Sequence, residues 1–186
     1  MSFSLDDVAF LISDVGQRIL ADYATVDVSE ARTLRLLSDL RKSLTLEQAS
    51  AILTTLKLRQ KAVDKFPNFA HRLLFTEDSL QQASDFHIRR YRAQSLTPRS
   101  VLDVCCSIGS DALAFAQAGH TVLGLDIDLV RIEIARYNAS VMGLNAQFEV
   151  ADVTQPIPDD YDLIFYDPAR RTADGNRIFN IEQYIP

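Results

Sequence analysis

The chain has 186 residues, enough for one good core or for one core plus a helical appendage, and at 47% apolar and 24% charged it has the composition of a globular protein. No apolar run reaches membrane-spanning length, and the N-terminus lacks the basic-then-apolar pattern of a secretory signal. The net charge of −6 is uneven: residues 1–95 hold 13 Lys/Arg against 12 Asp/Glu, and residues 96–186 hold 6 against 13. A nucleic-acid binder usually shows a basic patch; if this chain has one, it lies in the first half, around Lys57, Arg59, Lys61 and Lys65, with Arg89, Arg90 and Arg92 further on.

The first half reads as all-helical. Ser4, with Asp7 three residues on, starts a helix in which Leu5, Val8, Leu11, Ile12, Val15 and Ile19 recur at helical spacing. Ser29 starts a second, with Leu34, Leu37 and Leu40 on one stripe. Thr45 and Gln48 form a capping box for a third, which buries Ala49, Ile52, Leu53 and Leu56 and ends before Pro67. Thr76 caps a fourth, running through Leu80, Ala83, Phe86, Ile88 and Tyr91. Leu96–Arg99 is the joint, so a helical region at 1–96 precedes a sheet region at 97–186.

Beyond the joint, strand and helix alternate. Val101–Val104 is an apolar run, Cys105–Ser110 a turn of mostly small residues, and Ala112–Ala118 a helix ending near Gly119. Such a turn lets a ligand approach the backbone, and the helix start offers free N–H donors. His120–Asp126 is a second strand, and a helix from about Leu129 to Met142 follows, with Gly143 as its end signal. Gln147–Asp152 and Tyr161–Asp167 are a third and a fourth strand, and the segment between them, with two prolines, is a loop. This order predicts an α/β fold with a parallel sheet. Each strand has an acid at or near its C-terminal end, the edge where open α/β sheets bind ligands.

The stretches KLRQKAVDKFP (57–67), FTEDSLQQAS (75–84), YRAQ (91–94), VLDVCCSIGSDALAFA (101–116), GLDID (124–128), ARYNA (135–139) and DPARR (167–171) carry a resemblance. From about Leu46 to Pro186 the chain resembles class I S-adenosylmethionine-dependent methyltransferases. More narrowly, it resembles a bacterial methyltransferase-like family with a helical N-terminal region and a C-terminal THUMP-like domain. The resemblance implies a Rossmann-like sheet of seven strands ordered 3-2-1-4-5-7-6. This sequence supplies four of them, order 3-2-1-4, which reads as an N-terminal fragment with its fourth strand left as an apolar edge. The tail after Asp167, or a second copy in a homodimer, would cover that edge.

The implied cofactor is S-adenosyl-L-methionine, and its site would comprise Asp103, Cys105, Ser107, Gly109, Asp126, Ile127, Asp152 and Val153. Asp103 would orient the turn and the cofactor's amino group, or simply cap turn N–H groups. Asp126, 23 positions later, would accept from ribose hydroxyls, an acceptor-only task that suits a carboxylate, or stand as a solvated strand-end acid. Asp128 reads as a helix N-cap. Asp152 would accept from the adenine amine or cap its own loop. Family members carry glycines where Ser107 and Ser110 stand here. Gly109 is the only glycine of the turn, which disfavours a pyrophosphate and hence an NAD-dependent enzyme.

Cys105 and Cys106 are adjacent and the only cysteines, so neither has a disulfide partner at ordinary spacing. The three histidines are far apart, so no metal is expected; the cysteines read as small packing residues in a cytoplasmic protein.

Asp167, Pro168 and Arg170 stand where methyltransferases place the acceptor. Amino-methylating enzymes use an Asp/Asn-Pro-Pro-aromatic element there. This chain keeps its first half and has Ala169 and Arg170 for the second proline and the ring. Arg170 would stack on a base, bind phosphate or pair with Asp174 or Glu182. Tyr184 is a lid, a stacking residue or core. The reading is a methyltransferase acting on a nitrogen of RNA, such as tRNA or rRNA, or of another nucleic acid. Its alternative is a non-catalytic cofactor-binding or scaffolding module on the same fold.

Overall fold

The computed structural model describes residues 3–97 and 99–168. The chain divides into two compact units, Met1–Gln81 and Gln82–Pro186.

The first unit is helical. Where the spacing predicts one opening helix there are two, α1 (Leu5–Ile12) and α2 (Asp14–Asp22). Ser13 makes the break. Its hydroxyl donates to the Phe10 carbonyl at 2.7 Å and accepts from the Gly16 N–H at 3.1 Å, which turns the chain and caps α2. Ser4 with Asp7, and Thr45 with Gln48, form the two capping boxes that start α1 and α4 (Leu46–Lys61). α3 (Glu30–Leu40) follows Ser29, but its buried residues are Leu36 and Leu40, and Leu34 is 78% exposed. α4 buries Ala49, Ile52, Leu53 and Leu56 as its spacing requires.

The basic cluster expected around Lys57 to Lys65 is largely structural. Arg59 is buried and donates to the carbonyls of Leu73 at 3.0 Å and Arg72 at 2.8 Å. Lys65 donates to the carbonyls of Leu80 and Gln81, and Lys61 pairs with Glu77 at 2.8 Å. Three of the four cations are thus engaged within this unit.

The fourth predicted helix is also two. α5 (Glu77–Gln82) follows Thr76, whose hydroxyl accepts from the Ser79 N–H at 3.1 Å. α6 (Phe86–Gln94) is capped by Asp85, which accepts from the His87 N–H at 2.8 Å. Ile88 and Tyr91, two of the residues that the predicted helix runs through, are exposed, and Arg89 and Ala93 are buried. α6 belongs to the second unit, which therefore begins before the joint expected at residue 96.

The second unit continues with β1 (Ser100–Val104), α7 (Ser110–Gln117), β2 (Thr121–Asp126), α8 (Leu129–Met142), β3 (Ala146–Val150) and β4 (Leu163–Tyr166). The four strands are parallel in the expected order β3-β2-β1-β4. β1 is central and buried on both faces, which is why it reads as a continuous apolar run. On one face Val101, Val122 and Phe148 pack with Leu113 and Phe115 of α7 and with Ile132 and Ala135 of α8. On the other, Leu102, Val104, Leu123 and Leu125 are covered by Ala151, Val153, Ile157 and Tyr161 of the irregular β3–β4 connection. Among the described residues β4 pairs only with β1, and Ile164 and Tyr166 are about half exposed.

His120 ties α6 to the sheet. Its Nδ1 accepts the Arg99 N–H at 3.1 Å, and its Nε2 lies 3.0 Å from the Ala93 carbonyl, which places the proton on Nε2.

Candidate cofactor site at the head of the sheet

The turn after β1 is built on alternating backbone handedness. Cys105, Ser107 and Gly109 have φ of 63°, 53° and 80°, left-handed values that two of these three residue types adopt at a cost. Three hydrogen bonds hold the turn: the Cys106 N–H to the Leu125 carbonyl at 2.9 Å, the Gly109 N–H to the Cys106 carbonyl at 2.9 Å, and the Ser107 N–H to Asp126 Oδ2 at 2.8 Å. Ser107 therefore holds a conformation that glycine would take freely, and Asp126 secures it. The Ser107 hydroxyl is buried with no hydrogen-bond partner among the described residues.

Space beneath the turn is small. A Cβ on Gly109 would lie 2.9 Å from Phe148 Cε1, and one on Gly124 would lie 2.6 Å from Phe148 Cδ1 and 3.0 Å from Cys106 Sγ. Cys106 is buried in this packing, as expected of a packing residue. Burial pushes both thiols up, Cys105 to about 11, so neither is a thiolate at neutral pH. No group of His, Cys, Asp and Glu among the described residues could hold a metal ion.

Asp103 lies in β1 on the face toward α7 and is only 2% exposed. Burial raises its carboxyl well above the usual range, and the charges of Asp111, Asp167 and Asp126 add to the effect, against a hydrogen bond from the Ala112 N–H. Its Oδ2 has no hydrogen-bond partner among the described residues. Asp126 ends β2 with both oxygens engaged, Oδ2 by Ser107 and Oδ1 by the Asp128 N–H at 3.0 Å. Asp128 caps α8 as expected, accepting from the N–H groups of Val130 and Arg131.

Ile127, between these acids, is 69% exposed. Asp152 is exposed after β3 and accepts from the Thr154 N–H at 3.0 Å and hydroxyl at 2.6 Å, the loop cap that was one of its two readings. Val153 lines a cleft of about 310 Å³ with Val104, Thr154, Ile157, Ile164 and Tyr166. Asp167 follows β4 exposed, and Pro168 beside it is buried. Arg170 and Tyr184 lie outside the described residues.

Sequence reasoning missed a second layer of charge. Asp111, in the first turn of α7, pairs with Arg92 of α6 at 2.5 Å, and the Arg92 guanidinium lies 4.7 Å from the centroid of the Phe165 ring. Burial raises the Asp111 carboxyl, opposed by Arg92 and Arg89. The signal was the Arg89–Arg92 spacing on one helix face, read only as part of a diffuse basic patch.

A parallel sheet ordered 3-2-1-4, a glycine-poor small-residue turn after β1, and acids at the ends of β1, β2 and β4 are the head of one particular architecture. Residues 101–173 match a family model described as a methyltransferase domain. The sheet unit has the class I methyltransferase fold. Residues 4–62 match a domain of unknown function. An "uncharacterized S-adenosylmethionine-dependent methyltransferase" of Mycobacterium tuberculosis is 37% identical over 145 residues, 75% of this chain and 40% of that protein. The chain thus spans well under half of that relative's length. A 23S rRNA (uracil-C5) methyltransferase of Marinomonas posidonica is 32% identical over 114 residues, 55% of this chain and 26% of the relative. The crystal structure of a "putative methyltransferase" from Porphyromonas gingivalis superposes with a TM-score of 0.68 at 20% identity, covering 92% of this chain and 43% of that one. At that identity the likeness is one of fold.

Proposed function

We propose that the chain is the cofactor-binding part of a cytoplasmic S-adenosylmethionine-dependent methyltransferase whose acceptor is a nitrogen of RNA or another nucleic acid. The observation that carries the reading is the left-handed turn secured by Asp126, with Asp103 Oδ2 buried beneath the start of α7 and without a hydrogen-bond partner among the described residues. An orphaned carboxylate oxygen at this place suits the cofactor's ammonium group, so the residues fit. In this reading Asp103 takes the ammonium, Asp126 adds ribose hydroxyls to the lone pairs it has left, and Ile127, Asp152 and Val153 enclose the adenine. When bound, the cofactor supplies an electrophilic methyl group. Asp167 and the Pro168 backbone would accept from the target amine and hold its nitrogen in line, with positioning doing most of the work. The RNA target draws support from the rRNA methyltransferase relative and the Asp167–Pro168 element. The sequence resemblance to the THUMP-like family points the same way. The open side of β4 would be covered by further chain or a second copy.

The test is calorimetric titration of the 186-residue chain with S-adenosylhomocysteine, with NAD as control. Binding of the first alone is expected, weakened about tenfold in Ile127→Ala, which removes apolar contact from an exposed side chain. Binding of neither ligand, or of both equally, would defeat the reading. A non-catalytic module on the same fold is favoured by one observation, that both Asp126 oxygens already serve the backbone. In the intact protein, cofactor binding with no transfer to RNA would establish that alternative.

A further inference from the structure

We propose that the outward face of α6, formed by Arg90 and Tyr91 with Arg92 at its margin, is a docking strip for single-stranded nucleic acid leading to the Asp167 edge of the site; its role as an acceptor approach rests on the methyltransferase reading. The unit from 82 to 186 holds nine Arg and no Lys against fourteen Asp/Glu, so most of its surface repels a polyanion. α6 reverses this sign, with three Arg in nine residues and no acid.

The two faces of the helix have separate duties. Arg89 and Ala93 are buried, and Arg92 is pinned between Asp111 and the Phe165 ring. Phe165 is followed by Tyr166, the last residue of β4, and then by Asp167, so the ring that Arg92 covers lies two residues before the proposed acceptor residue. On the outward face, Tyr91 is 77% exposed and makes no ring contact among the described residues. Its neighbour Arg90 is exposed, with a described bond only to the uncharged Gln94 at 3.3 Å. Ile88, one turn before Tyr91, is also exposed.

An exposed ring beside a guanidinium that pairs with no acid among the described residues is the arrangement that single strands use, a base stacking on the ring while phosphate meets the cation. Most of the basic cluster of the first unit is engaged by carbonyls and Glu77, which leaves α6 as the better platform. Ile88 and Tyr91 alone would suit a protein partner, but the local positive charge in an acidic unit favours a polyanion.

The experiment is fluorescence anisotropy of the 186-residue chain with labelled oligouridine and oligothymidine of about ten nucleotides, at two salt concentrations. The wild-type chain is expected to bind at least one of them. Tyr91→Ala should weaken binding about tenfold and Tyr91→Phe should preserve it. Arg90→Gln should weaken binding and lower the salt slope by about 0.7. Both side chains are exposed, so the fold should survive, with circular dichroism and S-adenosylhomocysteine titration as checks. No binding, binding indifferent to Tyr91 and Arg90, or displacement by polyglutamate as effective as by unlabelled oligonucleotide would overturn the proposal. The last result would mark an acidic-protein surface. A wild-type chain that binds no S-adenosylhomocysteine but gives the expected oligonucleotide results would count against the cofactor reading and leave the strip standing.

Discussion

Asp126 Oδ2 accepts the Ser107 backbone N–H at 2.8 Å, so the acid that ends β2 fixes the turn that follows β1. The same carboxylate takes the Asp128 N–H through Oδ1 at 3.0 Å and thereby sets the entry to α8. Asp126→Ala removes two hydrogen bonds to a carboxyl group and leaves two part-buried backbone donors without that acceptor. It should cost about 2–4 kcal/mol by urea denaturation. Asp126→Ala is therefore a poor probe of ribose binding, and exposed Ile127 is the cleaner one. A loss below about 0.5 kcal/mol would show that the turn holds itself.

This double duty was hidden in the sequence, where Asp126 reads as a ligand acid or a solvated one. The sheet order, α7, α8 and the irregular β3–β4 connection were legible, because β1 is buried on both faces and Asp128 and Gly143 punctuate α8. What failed was continuity. Ser13 and Asp85 both cap a helix from inside a stretch with unbroken apolar spacing, so periodicity carried two helices across real breaks. The apolar residues Leu34, Ile88 and Tyr91 lie at helical spacing yet face outward, since nothing in spacing alone tells which stripe meets a neighbour. Likewise the positive φ of Ser107 shows only once Asp126 is seen to hold it.

Asp103 should make stability depend on pH in an unusual direction. Its folded carboxyl is raised, chiefly by burial, so the folded chain binds its proton where the unfolded chain has lost it. Stability from this group is full below about pH 4 and falls as pH rises through the raised value. Asp111, also raised, adds to the fall. Asp103→Asn should therefore flatten the decline in urea midpoint between pH 5 and pH 8. Equal declines in the two proteins would mean that Asp103 titrates normally.

Cys105 is half-buried in the turn, and burial together with the Asp126 and Asp103 carboxyl groups pushes its thiol to about 11. Against a free thiol near pH 8.5, its thiolate fraction at pH 8 is lower by about two orders of magnitude. Iodoacetamide should modify the native chain roughly a hundredfold more slowly than the urea-unfolded chain. Equal rates would mean that the turn opens readily or that the thiolate is stabilised there.

Gly109 and Gly143 separate conformational cost from packing cost. Both are left-handed, with φ of 80° and 66°, so alanine at either site pays about 1–2 kcal/mol for backbone strain. Around Gly143, its chain neighbours aside, nothing among the described residues lies within 4 Å of a new Cβ, and Gly143→Ala should cost no more than that. At Gly109 the new Cβ would lie 2.9 Å and 3.0 Å from two Phe148 ring atoms and 3.3 Å from Ala135 Cβ. Overpacking there adds about 1–3 kcal/mol, so Gly109→Ala should be the more damaging of the two in urea unfolding. The excess should be coupled to the ring. Phe148→Leu, which destabilises the wild-type chain by opening a cavity, should cost less in the Gly109→Ala background, because the smaller side chain also relieves the clash. If the two substitutions add independently, Phe148 yields to the methyl group and the packing beneath the turn is softer than its distances indicate.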